Sequence, residues 1–231
     1  MAKSSKAAPD KPTDPRRTVV EALMRLAADR PYDEISLGTI ATEAGISLAD
    51  LRDLFPSKGA ILGGLMRMVD RQVLDGTGTD MTGESAHDRV LDVMMRRFDA
   101  LMPYQAGLKS VNRAIRRDPA LALALNQAAL NSWRFMLEAA AIDTEGPLGF
   151  LRTQGAVLVF ARAFDAFVDD DADLARTMAV LDRELKKGAR VLDAASALHR
   201  LTAPLRSAAR AACARRPSRQ ARTEETAGTA F

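Results

Sequence analysis

Apolar residues recur at intervals of three and four positions along most of the chain, the spacing that places them on one face of a helix. The first third contains four short periods of this kind, which begin at Pro15, Ser36, Ser47 and Ser57 and end by residue 74. The second period stops at Gly45, where glycine can end a helix in the left-handed conformation. These start and stop residues predict four short helices.

Five longer periods follow and predict helices at about 85–102, 104–117, 119–142, 147–168 and 172–198. Only 5% of the residues are aromatic, and Ala and Leu recur throughout, a composition that favours helices over strands. No segment alternates apolar and polar residues clearly enough to predict a strand. The sequence therefore predicts an all-α protein with nine helices.

Composition divides the chain into five segments. Residues 1–14 and 215–231 lack helical periodicity, and we expect a disordered basic arm at 1–14 and an Arg-rich, largely disordered tail at 201–231. The segment 75–84, DGTGTDMTGE, is rich in Gly, Thr and Asp and is the best candidate for a linker. It separates a predicted N-terminal domain, 15–74, from a predicted C-terminal domain, 85–200.

The charge distribution says more about partners than the total charge does. A formal net charge of +3 gives weak support for a polyanionic partner, but both ends of the chain are basic. An arm that ends in Arg16 and Arg17 could lie along a DNA backbone or only keep the protein soluble. The single cysteine, Cys213, excludes an intramolecular disulfide, and no apolar leader or membrane span is present in the sequence. We therefore expect a cytoplasmic protein.

Residue types that could carry catalysis do not form a recognisable pattern. The acidic run DDDAD at 169–173 lacks the glycine and distal glutamate of a calcium loop, and acids before a helix favour its N-terminus. His87 and His199 have no partner at metal-ligand spacing. Neither a phosphate-binding glycine loop nor a nucleophile motif appears. We expect no metal, no cofactor and no enzymatic activity.

The second and third short helices, joined by the turn at Gly45, form a helix-turn-helix pattern, in which the helix after the turn enters the major groove of DNA. Residues 17–74, with IATEAGIS followed by a short helix that ends in LFPSK, resemble the N-terminal domain of the tetracycline-repressor (TetR) family of bacterial regulators. The later helices fit the number and order of that family's C-terminal ligand-binding and dimerisation domain. The resemblance implies DNA contacts on or beside Thr39, Ser47, Ala49, Asp50, Arg52 and Lys58, with Lys58 at a phosphate.

The third helix departs from the family pattern at three positions. Family members usually have a cation, a tyrosine and a histidine or tyrosine where this sequence has Leu48, Arg52 and Leu54. The apolar spacing predicts that Leu48, Leu51, Leu54 and Phe55 point inward. Arg52 is then the only cation on this helix.

Asp50 has two interpretations that are compatible with each other. In the first, Ser47 and Asp50 form a capping box at the start of the third helix. In the second, the Asp50 carboxylate accepts a hydrogen bond from a cytosine amino group. A carboxylate near phosphates is repelled unless a cation offsets it, which favours the cap.

The helices at 147–168 and 172–198 each carry an apolar seam that could pair two copies of the chain. Steps of three and four residues suit left-handed packing in a helix bundle. A two-fold dimer of this kind would present two DNA-reading helices to a near-palindromic site. A core within one chain is the alternative. The predicted interface residues are Leu151, Gly155, Leu158, Leu174, Met178, Leu181 and Leu185.

A small-molecule site, if the resemblance holds, should lie among the middle helices, where polar groups interrupt apolar faces. The scarcity of polar groups there indicates an apolar effector, although each position could also be ordinary core. The candidate ligand-binding residues are Phe98, Met102, Tyr104, Asn112, Asn131, Trp133 and Gln154.

Two functions are compatible with these features. The first is a homodimeric one-component transcription regulator, acting as a repressor, whose affinity for double-stranded DNA changes when an effector binds. The second is a lipid- or isoprenoid-binding accessory protein of ubiquinone biosynthesis, a group that shares the fold without binding DNA. Residues 160–185 are loosely similar to that group, and an amphipathic segment from Leu198 to Cys213 could touch a membrane surface.

Overall fold

The computed structural model describes residues 14–76 and 83–201, in which every regular element is helical. The prediction of an all-α fold is confirmed, with nine α-helices and two 3₁₀ turns in this part of the chain. The α-helices are α1 (Pro15–Asp29), α2 (Leu37–Ala44), α3 (Leu48–Leu54), α4 (Lys58–Asp75), α5 (Ala86–Leu101), α6 (Gln105–Arg117), α7 (Pro119–Ala139), α8 (Gly146–Phe167) and α9 (Ala175–Leu201). The 3₁₀ turns are Tyr32–Glu34 and Met102–Tyr104.

Several predictions concern residues outside the described ranges. Nearly all of the basic arm, most of the linker and the Arg-rich tail lie there. The same holds for Cys213 and for most of the amphipathic segment that starts at Leu198. Within the described residues, no helix combines the length and the apolar content that a membrane-spanning segment needs.

The helix boundaries follow from capping residues that the sequence supplies. The side chains of Ser36, Ser47, Ser57 and Ser85 each accept a backbone N–H from the first turn of the helix that follows. Gly45 ends α2 with a φ of 68°, in the left-handed region that glycine tolerates. Local chemistry therefore sets the ends of the short helices.

Acidic residues of the 169–173 run cap α9. One Asp170 carboxylate oxygen accepts the Thr177 N–H and the Thr177 hydroxyl, each at 2.6 Å. Asp173 accepts the N–H of Ala175, the first residue of α9, at 3.2 Å. The expectation that this run favours a helix N-terminus is confirmed.

The described residues from 14 to 189 form one compact unit, and a second unit begins at Arg190, whose described residues 190–201 are helical. In the first unit α1 packs against α2, α4 and α6, and α4 also packs against α5 and α7. Val19, Leu23, Ile40 and Ile61 are completely buried in this core. At Gly107 the backbones of α6 and α1 come so close that a Cβ atom would collide with the carbonyl of Met24. The helices at 15–74 therefore share a core with those that follow residue 85.

The predicted dimer seam divides into two groups of side chains. Leu151, Leu158 and Met178 are 37%, 52% and 49% exposed, whereas Leu174 and Leu181 are 2% and 0% exposed within the single chain. The prediction for those two leucines needs correction, because they are already covered by the hydrophobic core of their own chain. Gly155 and Leu185 are partly buried.

Candidate nucleic-acid interface

The turn between α2 and α3 is closed by backbone hydrogen bonds and seats α3 on the core. Ile46 donates its N–H to the carbonyl of Ala41 at 3.0 Å, and Gly45 donates to Thr42 at 3.1 Å. Leu51 of α3 and Phe55, which directly follows that helix, are 1% and 2% exposed. One side of α3 is thus fixed against the domain, and the other faces outward.

The outward side includes Leu48, contrary to the sequence prediction that this leucine points inward. Leu48 is 57% exposed, whereas Leu54 is partly buried. Ile46, two residues earlier in the turn, packs against the core instead. Ala49 and Arg52 are exposed on the same short helix, and Arg52 forms no ion pair with any described residue. The apolar spacing of α3 could not predict that Leu48 is exposed and Ile46 packs against the core. Leu48 and Leu51 are three residues apart, which is the spacing of two residues on one buried helix face.

Ser47 and Asp50 form the predicted capping box. The Asp50 N–H donates to the Ser47 hydroxyl oxygen at 3.0 Å. The Asp50 carboxylate accepts the Ser47 N–H at 3.2 Å and the Ser47 hydroxyl at 2.6 Å. The structural interpretation of Asp50 is confirmed, and a contact to cytosine stays a prediction. Thr39 has a similar position in α2, where its N–H donates to Ser36 at 3.0 Å.

Arg16 and Arg17 differ in what they contact. The Arg16 guanidinium donates to the Leu54 carbonyl at 2.7 Å and lies 5.3 Å from the centre of the Phe55 ring. It therefore binds the C-terminal end of α3, where an unpaired helix carbonyl attracts a cation. Arg17 pairs with Glu21 on the surface of α1 at 2.7 Å. The sequence pattern places both at the end of a basic arm that could follow DNA or keep the protein soluble, and it does not reveal the contact of Arg16 with α3.

Lys58 is partly buried and contacts the 3₁₀ turn Tyr32–Glu34. Its ammonium donates to the Tyr32 carbonyl at 2.9 Å and lies 4.4 Å from the centre of the Tyr32 ring. Burial lowers the pKa of Lys58 and raises the pKa of Tyr32 to about 12. Lys58 thereby joins the start of α4 to the 3₁₀ turn, and its contact with a DNA phosphate stays a prediction.

The described helix-turn-helix region is slightly acidic. Residues 14–76 contain eight Lys and Arg against ten Asp and Glu. Arg25 is paired with Glu43 at 3.0 Å, which ties α1 to α2. A surface with this charge attracts phosphates weakly, so side-chain contacts to bases would carry a larger share of binding.

The candidate ligand-binding residues do not converge on one point. Phe98 and Trp133 are buried in an aromatic cluster with Phe160, whose ring centre is 4.4 Å from that of Phe98 and 5.1 Å from that of Trp133. Asn131 is exposed on α7. The remaining candidates, Met102, Tyr104, Asn112 and Gln154, are partly buried.

The polar candidates have partners of their own. Asn112 donates to Asp165 at 3.1 Å, and Gln154 lies 3.4 Å from Asn126. Tyr104 lines a surface cavity of about 440 Å³ between α1 and the α5–α6 region, together with Arg17 and Met24. A second surface cavity, of about 370 Å³, lies between the end of α1 and α6 and contains none of the predicted ligand residues.

A buried ion pair beside the aromatic cluster was missed at the level of sequence. Arg97 of α5 is paired with Asp70 of α4, and the Ser132 hydroxyl of α7 donates to Asp70 at 2.8 Å. The Arg97 guanidinium lies 5.4 Å from the Trp133 ring centre and 5.5 Å from that of Phe160. The position of Arg97 on the apolar stripe of α5, between Met94 and Leu101, was the available signal.

No model of a known protein family matches the sequence, and no curated protein matches it. Solved structures do resemble the fold. A TetR transcriptional regulator from Nitrosomonas europaea has a TM-score of 0.59 and 19% sequence identity, with 76% of this chain and 99% of that chain covered. Another, from Rhodococcus sp. RHA1, has a TM-score of 0.54 and 18% identity, with 75% and 95% covered. The chain therefore has the fold of the TetR-family transcriptional regulators.

Proposed function

We propose that the chain is a homodimeric member of the TetR family that represses transcription by binding a near-palindromic DNA operator through α3. The observation that supports this most is the construction of α3. Buried Leu51 and Phe55, the Ser47 cap and the Arg16 contact fix one side of the helix. The other side is exposed and bears Arg52, which can contact a phosphate or a guanine.

The dimer is proposed to form through the outward faces of α8 and α9. Leu151, Leu158 and Met178 are large apolar side chains that the described residues of their own chain leave uncovered. Burying them against a second copy would bring two α3 helices to one operator. Leu158→Glu should then convert a dimer into a monomer in sedimentation velocity, whereas Leu123→Glu, at a 72% exposed position on α7, should leave the dimer intact.

A small apolar effector is proposed to bind among α5, α7 and α8, next to Phe98, Trp133 and Phe160. The basis is chemical, since the rings would give an effector an apolar lining beside the buried cation Arg97. Because the ring centres lie only 4.4 and 5.1 Å apart, the rings must separate to admit the effector. An effector that favours one spacing of the two α3 helices would shift the population of DNA-competent dimers. Trp133 is the only tryptophan of the chain, so its fluorescence reports directly on binding at this place.

The experiment that tests DNA binding begins with selection of preferred sites from a randomised duplex library by the full-length protein. Fluorescence anisotropy then compares the selected duplex with a scrambled one over a range of salt concentrations. Arg52→Ala is the test variant, and Arg71→Ala, at an 85% exposed side chain on α4, is the control. We expect sequence-dependent binding that Arg52→Ala weakens by about tenfold or more and Arg71→Ala leaves within about twofold.

Equal, weak binding to both duplexes that disappears as salt rises would contradict the proposal. Binding would then come only from sequence-independent attraction between basic side chains and phosphates. The lipid-binding function would take precedence, and quenching of Trp133 by an isoprenoid quinone would be its first test.

A further inference from the structure

The outward side of α3 carries an apolar side chain that the described part of the protein does not cover. Leu48 is 57% exposed in a domain whose other apolar residues mostly belong to the core. Arg52 lies four residues later, and positions four apart share one side of a helix. A leucine and a cation therefore lie next to each other on the helix that we propose binds DNA.

Of the two acidic residues of this helix, Asp50 and Asp53, Asp50 is held by hydrogen bonds at the start of α3. The Asp50 carboxylate accepts two hydrogen bonds from Ser47 and is thereby directed back to the first turn of α3. One carboxylate oxygen, Oδ2, accepts both of these bonds, so turning that oxygen toward a cytosine amino group would break the cap. Base recognition by α3 thus depends on Leu48 and Arg52 more than on Asp50.

We propose that Leu48 recognises a thymine in each operator half-site by packing on the C5-methyl group of that base. This inference rests on the proposed DNA-binding function. The thymine methyl is the one apolar group that the base pairs present in the major groove. Over any other base edge, Leu48 would cover polar groups and leave them without partners. Because residues 14–76 attract phosphates only weakly, the contact between Leu48 and the thymine methyl group should make a measurable contribution to affinity.

The test uses duplexes that differ only by this methyl group. Each thymine of the selected operator is replaced in turn by deoxyuridine, and affinity is measured by fluorescence anisotropy with the full-length protein. Burying one methyl group corresponds to about a fourfold change in affinity, so one thymine per half-site should show that loss. Replacing it in both half-sites should weaken binding on the order of tenfold.

The variants assign the effect to Leu48. Leu48→Ala should bind the thymine and uracil duplexes equally, within about twofold, whereas Leu48→Met should keep part of the preference for thymine. Leu123→Ala, at a leucine of similar exposure on α7, should keep the full preference. Far-UV circular dichroism and thermal melting check that Leu48→Ala folds, as its exposed position predicts.

The outcomes separate this inference from the function on which it rests. A thymine whose methyl matters to the wild type and not to Leu48→Ala supports the inference. Sequence-dependent binding that no uracil substitution weakens, or a preference that Leu48→Ala retains, overturns it and leaves the regulator function intact. Absence of any sequence-dependent binding by the wild type overturns both.

Discussion

Removing the carboxylate of Asp70 should destabilise the protein strongly, because it strands a buried cation. The side chains of Arg97 and Asp70 are 5% and 15% exposed. Burial lowers the pKa of Arg97 and Asp70 opposes that shift, but an arginine stays protonated. Breaking a buried pair by deleting one partner costs about 3–5 kcal/mol. Since water reaches part of Asp70, we expect about 3 kcal/mol, the lower end of that range, for Asp70→Ala.

Urea unfolding followed by Trp133 fluorescence and circular dichroism measures this effect. With a slope of about 2 kcal/mol/M, the midpoint should fall by about 1.5 M at equal protein concentration. Asp75→Ala is the matched control, because Asp75 lies on the same helix in an exposed pair with Arg71 at 3.8 Å. Its expected effect is below about 0.5 kcal/mol.

A double variant distinguishes a stranded charge from a lost contact. Asp70→Leu combined with Arg97→Met removes both charges and should restore stability to within about 1 kcal/mol of the wild type. The reasoning is refuted if Asp70→Ala shifts the midpoint no more than Asp75→Ala does, or if the double variant is no more stable than Asp70→Ala.

Three further predictions follow from contacts in the first unit, each measured by thermal or chemical unfolding. Asp50→Ala should lower the free energy of unfolding by about 1 kcal/mol through loss of the cap, and Ser47→Ala should add little to it, so additive losses would contradict a shared capping box. Arg16→Ala should lower the free energy of unfolding by about 1 kcal/mol and weaken operator binding, while Arg17→Ala should lower that free energy by no more than about 0.5 kcal/mol. Equal losses of stability for the two variants would contradict the role of Arg16 in holding α3. Gly107→Ala should lower the free energy of unfolding by about 1–3 kcal/mol or more, because α6 must move away from the Met24 carbonyl. A variant as stable as the wild type would show that α6 and α1 lie farther apart at this point.

The helix-turn-helix region could be predicted closely because its determinants are local. Serines that cap helices and a glycine in the left-handed region act within a few residues of their own positions. The capping box of Ser47 and Asp50 was predictable for the same reason. Residues that join distant segments gave weaker signals: the contact of Arg16 with Leu54 spans 38 positions, and that of Lys58 with Tyr32 spans 26.

The candidate effector site was predicted less well because it depends on how helices face one another. Periodicity identifies Phe98 and Trp133 as apolar positions on two helices, but only packing brings both into contact with Phe160. The same pattern could not show that Asn131 points outward or that Arg97 and Asp70 meet. These relations depend on the rotation of each helix about its own axis.

The helical class, the number of helices, their approximate ends and the place of the helix-turn-helix can be predicted from the amino-acid sequence, since these follow from spacing and capping within short stretches. Which apolar residues stay exposed depends instead on how the helices pack together. Leu48 and Leu174 have the same side chain, yet Leu48 is 57% exposed and Leu174 is 2% exposed. Burial is a property of what packs against a side chain, and the partners come from helices far along the chain.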